Sequence, residues 1–202
     1  MLLRMNVRRR FDLAIPWIKK IREGGQLSVF NKANTWTDAV NASIEAFNRL
    51  SFGVTLVKAK DEKSANIVLV LANGHTDYTY QGTTVTPGAD FSPSRLHGKT
   101  RAYYYEQPPK EIFFAVTFLP GKVNGTKKQK EVIVVHEFIH AAGMDEHDDR
   151  GIMFAQMGED GDGLIEYLHD KNSKAMPPIR VGGQTACIMN MLWSGGAACK
   201  AS

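Results

Sequence analysis

Cysteine is scarce in this sequence: only Cys187 and Cys199 occur, both near the C-terminus. That scarcity excludes a cysteine-rich secreted framework and a Cys-based zinc knuckle. The two can bridge, but the plainer reading is two ordinary thiols, one on a helix and one in the tail. Long apolar runs are also lacking. No segment approaches the ~18 uninterrupted apolar residues of a membrane span, so no membrane partner is expected. At the N-terminus, MLLRMNVRRRFDLAIPWIKK, charges break every apolar run before it reaches the length of a signal-peptide core. No signal peptide is recognised, a soluble protein is expected, and no compartment is indicated. Strong charge imbalance is absent too. The net charge is +4, and the basic clusters Arg8 to Arg10 and Lys127 to Lys130 stand beside no nucleic-acid recognition pattern, so they read as solvated faces and no specific nucleic-acid partner is expected.

What is present is an ordinary globular composition, 43% hydrophobic and 23% charged over 202 residues, enough for one domain with a substantial core. Residues 1–25 form an apolar, basic extension ending at Gly24-Gly25. Gln26 to Ala33 alternates like a strand. Thr35 or Thr37 can cap a helix in which Trp36, Ala39, Val40, Ile44, Phe47 and Leu50 recur at helical spacing. Phe52 to Lys60 alternates like a second strand, and Asn66 to Ala72 is a continuous apolar run typical of a buried one. Asn73 to Thr100, rich in Gly, Thr, Ser, Pro and Asp, reads as a long irregular segment. It holds His75, Asp77, Asp90 and His97, which read better as scattered loop residues than as a second metal site. Arg101 to Tyr105 and Glu111 to Phe118 read as two strands joined at Pro108-Pro109. Their Tyr103 to Tyr105 suit either a cleft edge or a sheet face. A helix is expected from about Thr126 to Ala142, with Val132, Val135, Ile139 and Ala142 opposite Lys127, Lys130 and Glu131. A last helix from about Gln184 to Trp193 should turn Ile188, Met191 and Leu192 inward.

The chemistry concentrates in VVHEFIHAAGMDEHDDRGIMF, residues 134–154. His136 and His140 lie one turn apart on one helical face, so they can hold one metal ion between them. Glu137, about 100° further round, can reach a water that the metal activates. Two imidazoles and one further ligand leave a fourth position open, the arrangement of a catalytic zinc site. The implied reaction is hydrolysis of an amide bond, with Glu137 as general base. Gly143 ends the helix and turns the chain so that a later residue can return to the ion.

HEFIHAAG with a downstream histidine and Gly151-Ile152-Met153 resembles the metzincin clan of zinc metallopeptidases, with its HExxHxxGxxH motif and methionine turn. The resemblance is closest to the matrixin-like members and spans about Gln26 to Trp193, although the specific motif covers only His136 to Met153. It implies an α+β fold: a mixed, mostly parallel twisted sheet with two long helices in an upper subdomain of about residues 26–143, and a small lower subdomain of about 144–202 with a terminal helix. It also implies a monomeric zinc endopeptidase acting on protein or peptide substrates, and gives Met153 the role of an apolar floor beneath the ligands. The sequence departs from the motif at the third ligand. The family position falls on Glu146, whereas the histidine is His147, one residue later. His147 is the favoured third ligand because imidazole is preferred and a surface loop absorbs one residue, with Glu146 the alternative. Asp145, Asp148 and Asp149 are candidate partners for the ligand imidazoles.

Three other readings stay open. Glu159 or Glu166 as third ligand would make a gluzincin-like peptidase, which the short span from Gly143 to Met153 disfavours. A structural metal protein without turnover is the other alternative, disfavoured by Glu137, since a structural site needs no base. Asp160 to Ile165 resembles the middle of an EF-hand loop, but Gly158 and His169 stand at its anchoring positions, so an acidic turn is the plainer reading and calcium is only a candidate second ion.

Overall fold

The computed structural model describes residues 14–74, 77–80, 82–89, 91–105, 107–144, 179, 181 and 183–195. In chain order these form α1 (Lys19–Gly24), β1 (Gln26–Asn31), a single 3-10 turn (Asn34–Trp36), α2 (Thr37–Arg49), β2 (Thr55–Lys58), β3 (Ile67–Ala72), β4 (Tyr78–Tyr80), β5 (Thr83–Val85), β6 (Lys99–Tyr104), β7 (Ile112–Pro120), α3 (Lys127–Ala141) and α4 (Gly183–Ser194). The architecture is mixed α and β. Five strands make one sheet in the order β2-β1-β3-β7-β6. Neighbours are parallel except at the edge, where β6 runs antiparallel to β7.

β3 shows why the sheet has this centre. Its run IVLVLA is buried at every position but one, as a parallel strand with covered faces requires. α2 buries Ala39, Val40, Ser43, Ile44, Ala46 and Phe47, one helical face, and with α3 it covers one side of the sheet. Leu27, Val29, Phe47, Ile67, Ala115 and Phe138 meet there. Neither Thr35 nor Thr37 caps α2. Trp36 stands at the N-cap without a side-chain cap bond, and the Thr37 hydroxyl instead donates to the Asn34 carbonyl at 2.9 Å.

On the opposite side, Val68, Val70, Phe114, Val116 and Phe118 are covered by Tyr80, Val85 and Phe91. The segment expected to be irregular therefore contributes a hairpin, β4 with β5, and a second core. Two strands of three residues each are too short to register as a period. The hairpin is tied down because the Tyr80 hydroxyl reaches the Glu62 carbonyl at 2.7 Å and the Ala65 carbonyl at 3.0 Å.

Residues 14–25 are integrated into the main body. Trp17 is fully buried, Ala14 and Trp17 form bridges to Met144 and Ile112, and the Pro16 carbonyl accepts from the Ile112 N–H at 2.7 Å. At the other end, α4 turns Thr185, Ile188, Met189 and Trp193 to the interior, leaving Met191 and Leu192 half-buried. The inward face is thus offset from the expected one, with Met189 the most deeply buried and the Trp193 indole bonded to the Ala142 carbonyl. No helix among the described residues is long and apolar enough to cross a membrane.

Candidate metal centre

α3 positions the site, and its start is fixed by a local side-chain cap. The Thr126 hydroxyl accepts from the Gln129 N–H at 3.2 Å while the Gln129 side chain accepts from the Thr126 N–H at 2.9 Å, a reciprocal capping box. From there the helix runs between α2 and the sheet, so it is buried nearly all round: Glu131 to Val135, Glu137 to Ile139 and Ala141. Glu131, expected on a polar face, is one of these. Its charge is met by Lys128 at 2.8 Å.

Because Ala141 and Ala142 are fully buried, the last carbonyls of α3 must find partners within the protein. The Trp17 indole N–H donates to the Ala141 carbonyl at 2.8 Å, the Trp193 indole N–H to the Ala142 carbonyl at 2.9 Å, and the Ile15 N–H to the Gly143 carbonyl at 2.8 Å. Gly143 ends the helix as expected, with φ +123. A side chain there would also collide with the N-terminal segment, since a Cβ would lie 2.7 Å from the Ile15 carbonyl oxygen. Residues 14–17 therefore brace the end of the helix that carries the histidines.

His136 and His140 are brought together as their spacing predicts. Their Nε2 atoms are 3.2 Å apart. The His140 Nδ1–H donates to the Met144 carbonyl at 2.7 Å, which leaves His140 Nε2 as the nitrogen with the lone pair. Two nitrogens bound at about 2.0–2.1 Å to one tetrahedral zinc would lie roughly 3.3 Å apart. The observed separation matches that spacing, and a backbone carbonyl orients the His140 ring. For His140 that contact is the Met144 carbonyl.

Glu137 is 3% exposed. One carboxylate oxygen, Oε2, accepts from the Thr100 hydroxyl at 2.7 Å. On the Oε1 side stands the backbone of Gly98, where a Cβ would lie 2.5 Å from the Glu137 Cγ and 2.9 Å from Oε1. Burial pushes the carboxyl up to about 7, against the opposing pull of the Thr100 hydrogen bond and the Lys99 charge. A buried carboxyl with a pKa near neutrality is suited to accept and release a proton.

Of the other predicted residues, Glu146, His147, Met153, Glu159 and Glu166 lie outside the described residues, as do Asp145, Asp148, Asp149 and the acidic turn from Asp160 to Ile165. His75 and Asp90 lie outside them as well. His97 stacks on Phe91 at 4.8 Å, and its Nε2 lies 2.8 Å from the Ser92 carbonyl. Among the described residues no group of three or more His, Cys, Asp or Glu could hold a metal ion. Cys187 is disulfide-bonded, and the one other cysteine in the sequence, Cys199, lies outside the described residues. Tyr103 stacks on Phe114 at 4.7 Å and Tyr105 is the exposed aromatic of the run.

Sequence reasoning missed Gly98, Thr100, Met144 and Trp17. The first two meet Glu137 only in the folded chain, and threonine in a strand reads simply as a good strand former. Comparison with protein-family models, curated proteins and solved structures finds no match to this chain.

Proposed function

We propose that this protein is a zinc-dependent endopeptidase of metzincin type. The observation that carries the reading is the pairing, on one turn of a buried helix, of two convergent imidazoles 3.2 Å apart with a carboxyl of near-neutral pKa. The sheet supports it too: β6 is an antiparallel edge strand whose first residues lie against Glu137, so a peptide added along its outer edge would pass the site.

His136 and His140 would hold the ion, with His147 or Glu146 as the third ligand. Bound zinc would polarise a substrate carbonyl and lower the pKa of a water toward neutrality. Glu137 takes the proton of the attacking water and returns it to the departing amine, which its near-neutral pKa favours. The imidazole of His140 is held in one tautomer by the Met144 carbonyl, and Trp17 and Trp193 keep the helix end from fraying. Glu137 also weighs against a purely structural metal site, because burying a carboxyl without a cation of its own costs stability that such a site has no reason to bear.

The test is zinc content and cleavage measured together. The purified chain is expected to bind one zinc and to cut a reduced, unfolded protein in a chelator-sensitive manner. His136→Ala and His140→Ala should each lose the metal and the cleavage. Full zinc retention by both variants would rule the reading out. Tight zinc binding with no cleavage of any peptide in a broad library would favour the structural alternative.

A further inference from the structure

Thr117 poses a question that packing alone does not answer. It is fully buried in β7, on the strand face that alternation gives to Ala115 and Leu119, toward the helices. A valine would fill the same space without a hydroxyl to satisfy. Its cross-strand partner in register is Thr100 of β6. The two hydroxyls are 2.9 Å apart, and from Thr100 the next step is the Glu137 Oε2 at 2.7 Å. An ionised carboxylate can only accept, so Thr100 donates to it and Thr117 donates to Thr100. The pair forms a chain of two hydroxyls that ends on Glu137, with the carboxylate Oε2 the nearer acceptor at 2.7 Å and the Glu137 backbone carbonyl at 3.2 Å. Gly98, two residues before Thr100, leaves the space that the Glu137 side chain fills, since a Cβ there would lie 2.5 Å from Cγ and 2.9 Å from Oε1.

We infer that Thr100, backed by Thr117, is a positioning residue that fixes the rotation of the Glu137 carboxylate for proton transfer. The inference rests on the reading of Glu137 as general base, but the geometry it invokes belongs to this chain alone. A carboxylate held at Oε2 by a hydroxyl, with its stem seated against Gly98, has one orientation about its last torsion and leaves Oε1 to face the site. Without the hydroxyl that torsion is broad and roughly two-fold, and the oxygen facing the substrate is no longer fixed. A base must sit within hydrogen-bond reach of the proton it abstracts, so lost orientation lowers the catalytic step rather than substrate binding.

The experiment compares Thr100→Val, Thr100→Ser and Thr117→Val in the full chain, by crystal structure of each variant with zinc chelated and by peptidase kinetics with zinc restored. Thr100→Val, equal in shape, is expected to move Glu137 Oε2 or split it between two positions. It should lower kcat about tenfold, the factor expected for one hydrogen bond to a charged group, with KM and zinc content unchanged. Thr100→Ser should restore a single position and a kcat within about threefold of the parent, and Thr117→Val should fall between the two. An unmoved Glu137 carboxylate in Thr100→Val overturns the inference whether or not the protein is a peptidase. A kcat for Thr100→Val equal to that of the parent overturns it too. If the parent itself cleaves nothing, the proposed function fails, while the crystal structures still decide whether Thr100 positions the carboxylate.

Discussion

The two halves of α3 carry one buried glutamate each, and they treat it differently. In the N-terminal half, Glu131 is 8% exposed and faces the Lys128 ammonium at 2.8 Å. In the C-terminal half, Glu137 is 3% exposed, and its carboxyl accepts from a threonine hydroxyl. The first arrangement stabilises an ionised carboxylate where it stands. The second leaves a carboxyl that burial holds near neutrality in pKa, on the same turn as two imidazoles 3.2 Å apart. The comparison teaches that burial alone does not mark a functional acid. What marks it is burial with no ammonium among the described residues bonded to it and only the Lys99 charge nearby, one residue from a paired histidine. Glu62, on the other side of the sheet, falls with Glu131: Lys32 bonds it at 2.8 Å and the Tyr78 hydroxyl donates to it.

Four predictions bear on this contrast, the largest first. The C-terminal half is braced by Trp17, so Trp17→Ala should cost about 3–5 kcal/mol of stability by emptying a fully buried site. It should also loosen zinc retention, both read by thermal unfolding and metal analysis, whereas unchanged stability would detach the N-terminal segment from the site. Gly98→Ala places a methyl against Glu137 and should lower cleavage by tenfold or more while the fold persists. Activity like that of the parent would mean the carboxylate has room to move. Glu131→Gln should leave cleavage unchanged and cost about 1 kcal/mol or less in a denaturant titration, since Lys128 is partly solvated. Lost activity there would erase the distinction between the halves.

The smallest effect is in pH. Lys32 and Tyr78 hold Glu62 below the usual carboxylate range, so its stabilisation is present above the unfolded-state pKa and fades as pH falls through the folded one. Glu137 is raised to about 7, so in the zinc-free chain the sign reverses. Its protonated form is favoured in the fold, and that contribution is lost as pH rises toward 7. Thermal unfolding of Glu62→Gln and Glu137→Gln against the zinc-free parent should therefore diverge in opposite directions, Glu62→Gln converging on the parent in acid. Parallel profiles would contradict the assignment.

How much of this was legible in the sequence depends on how local the determinant is. The helix of α3, the i, i+4 histidines and the break at Gly143 are all set within a few residues, and the helix was expected to within one residue at each end, although the Thr126 to Gln129 capping box that opens it was not noticed. β3 announced itself by six residues without a polar interruption. The order of the sheet was not legible, because β6 reaches the edge by pairing with a strand that follows it. Nor was the clasp of residues 14–17 on the far end of α3, whose partners are more than a hundred residues away. Thr100 and Thr117 gave no signal, since their meaning arises only where two strands and a helix converge. The hairpin from Tyr78 to Val85 was hidden by its brevity.

The central claim is that Glu137 is the proton acceptor of a zinc peptidase and not another structural carboxylate. The most direct measurement is cleavage of an unfolded protein by Glu137→Gln, with zinc content determined on the same sample. The account predicts one zinc per chain, as in the parent, and a rate lower by about 10²- to 10⁴-fold, the usual contribution of a positioned general base. A Glu137→Gln protein that holds its zinc and cleaves at the parent's rate would contradict it.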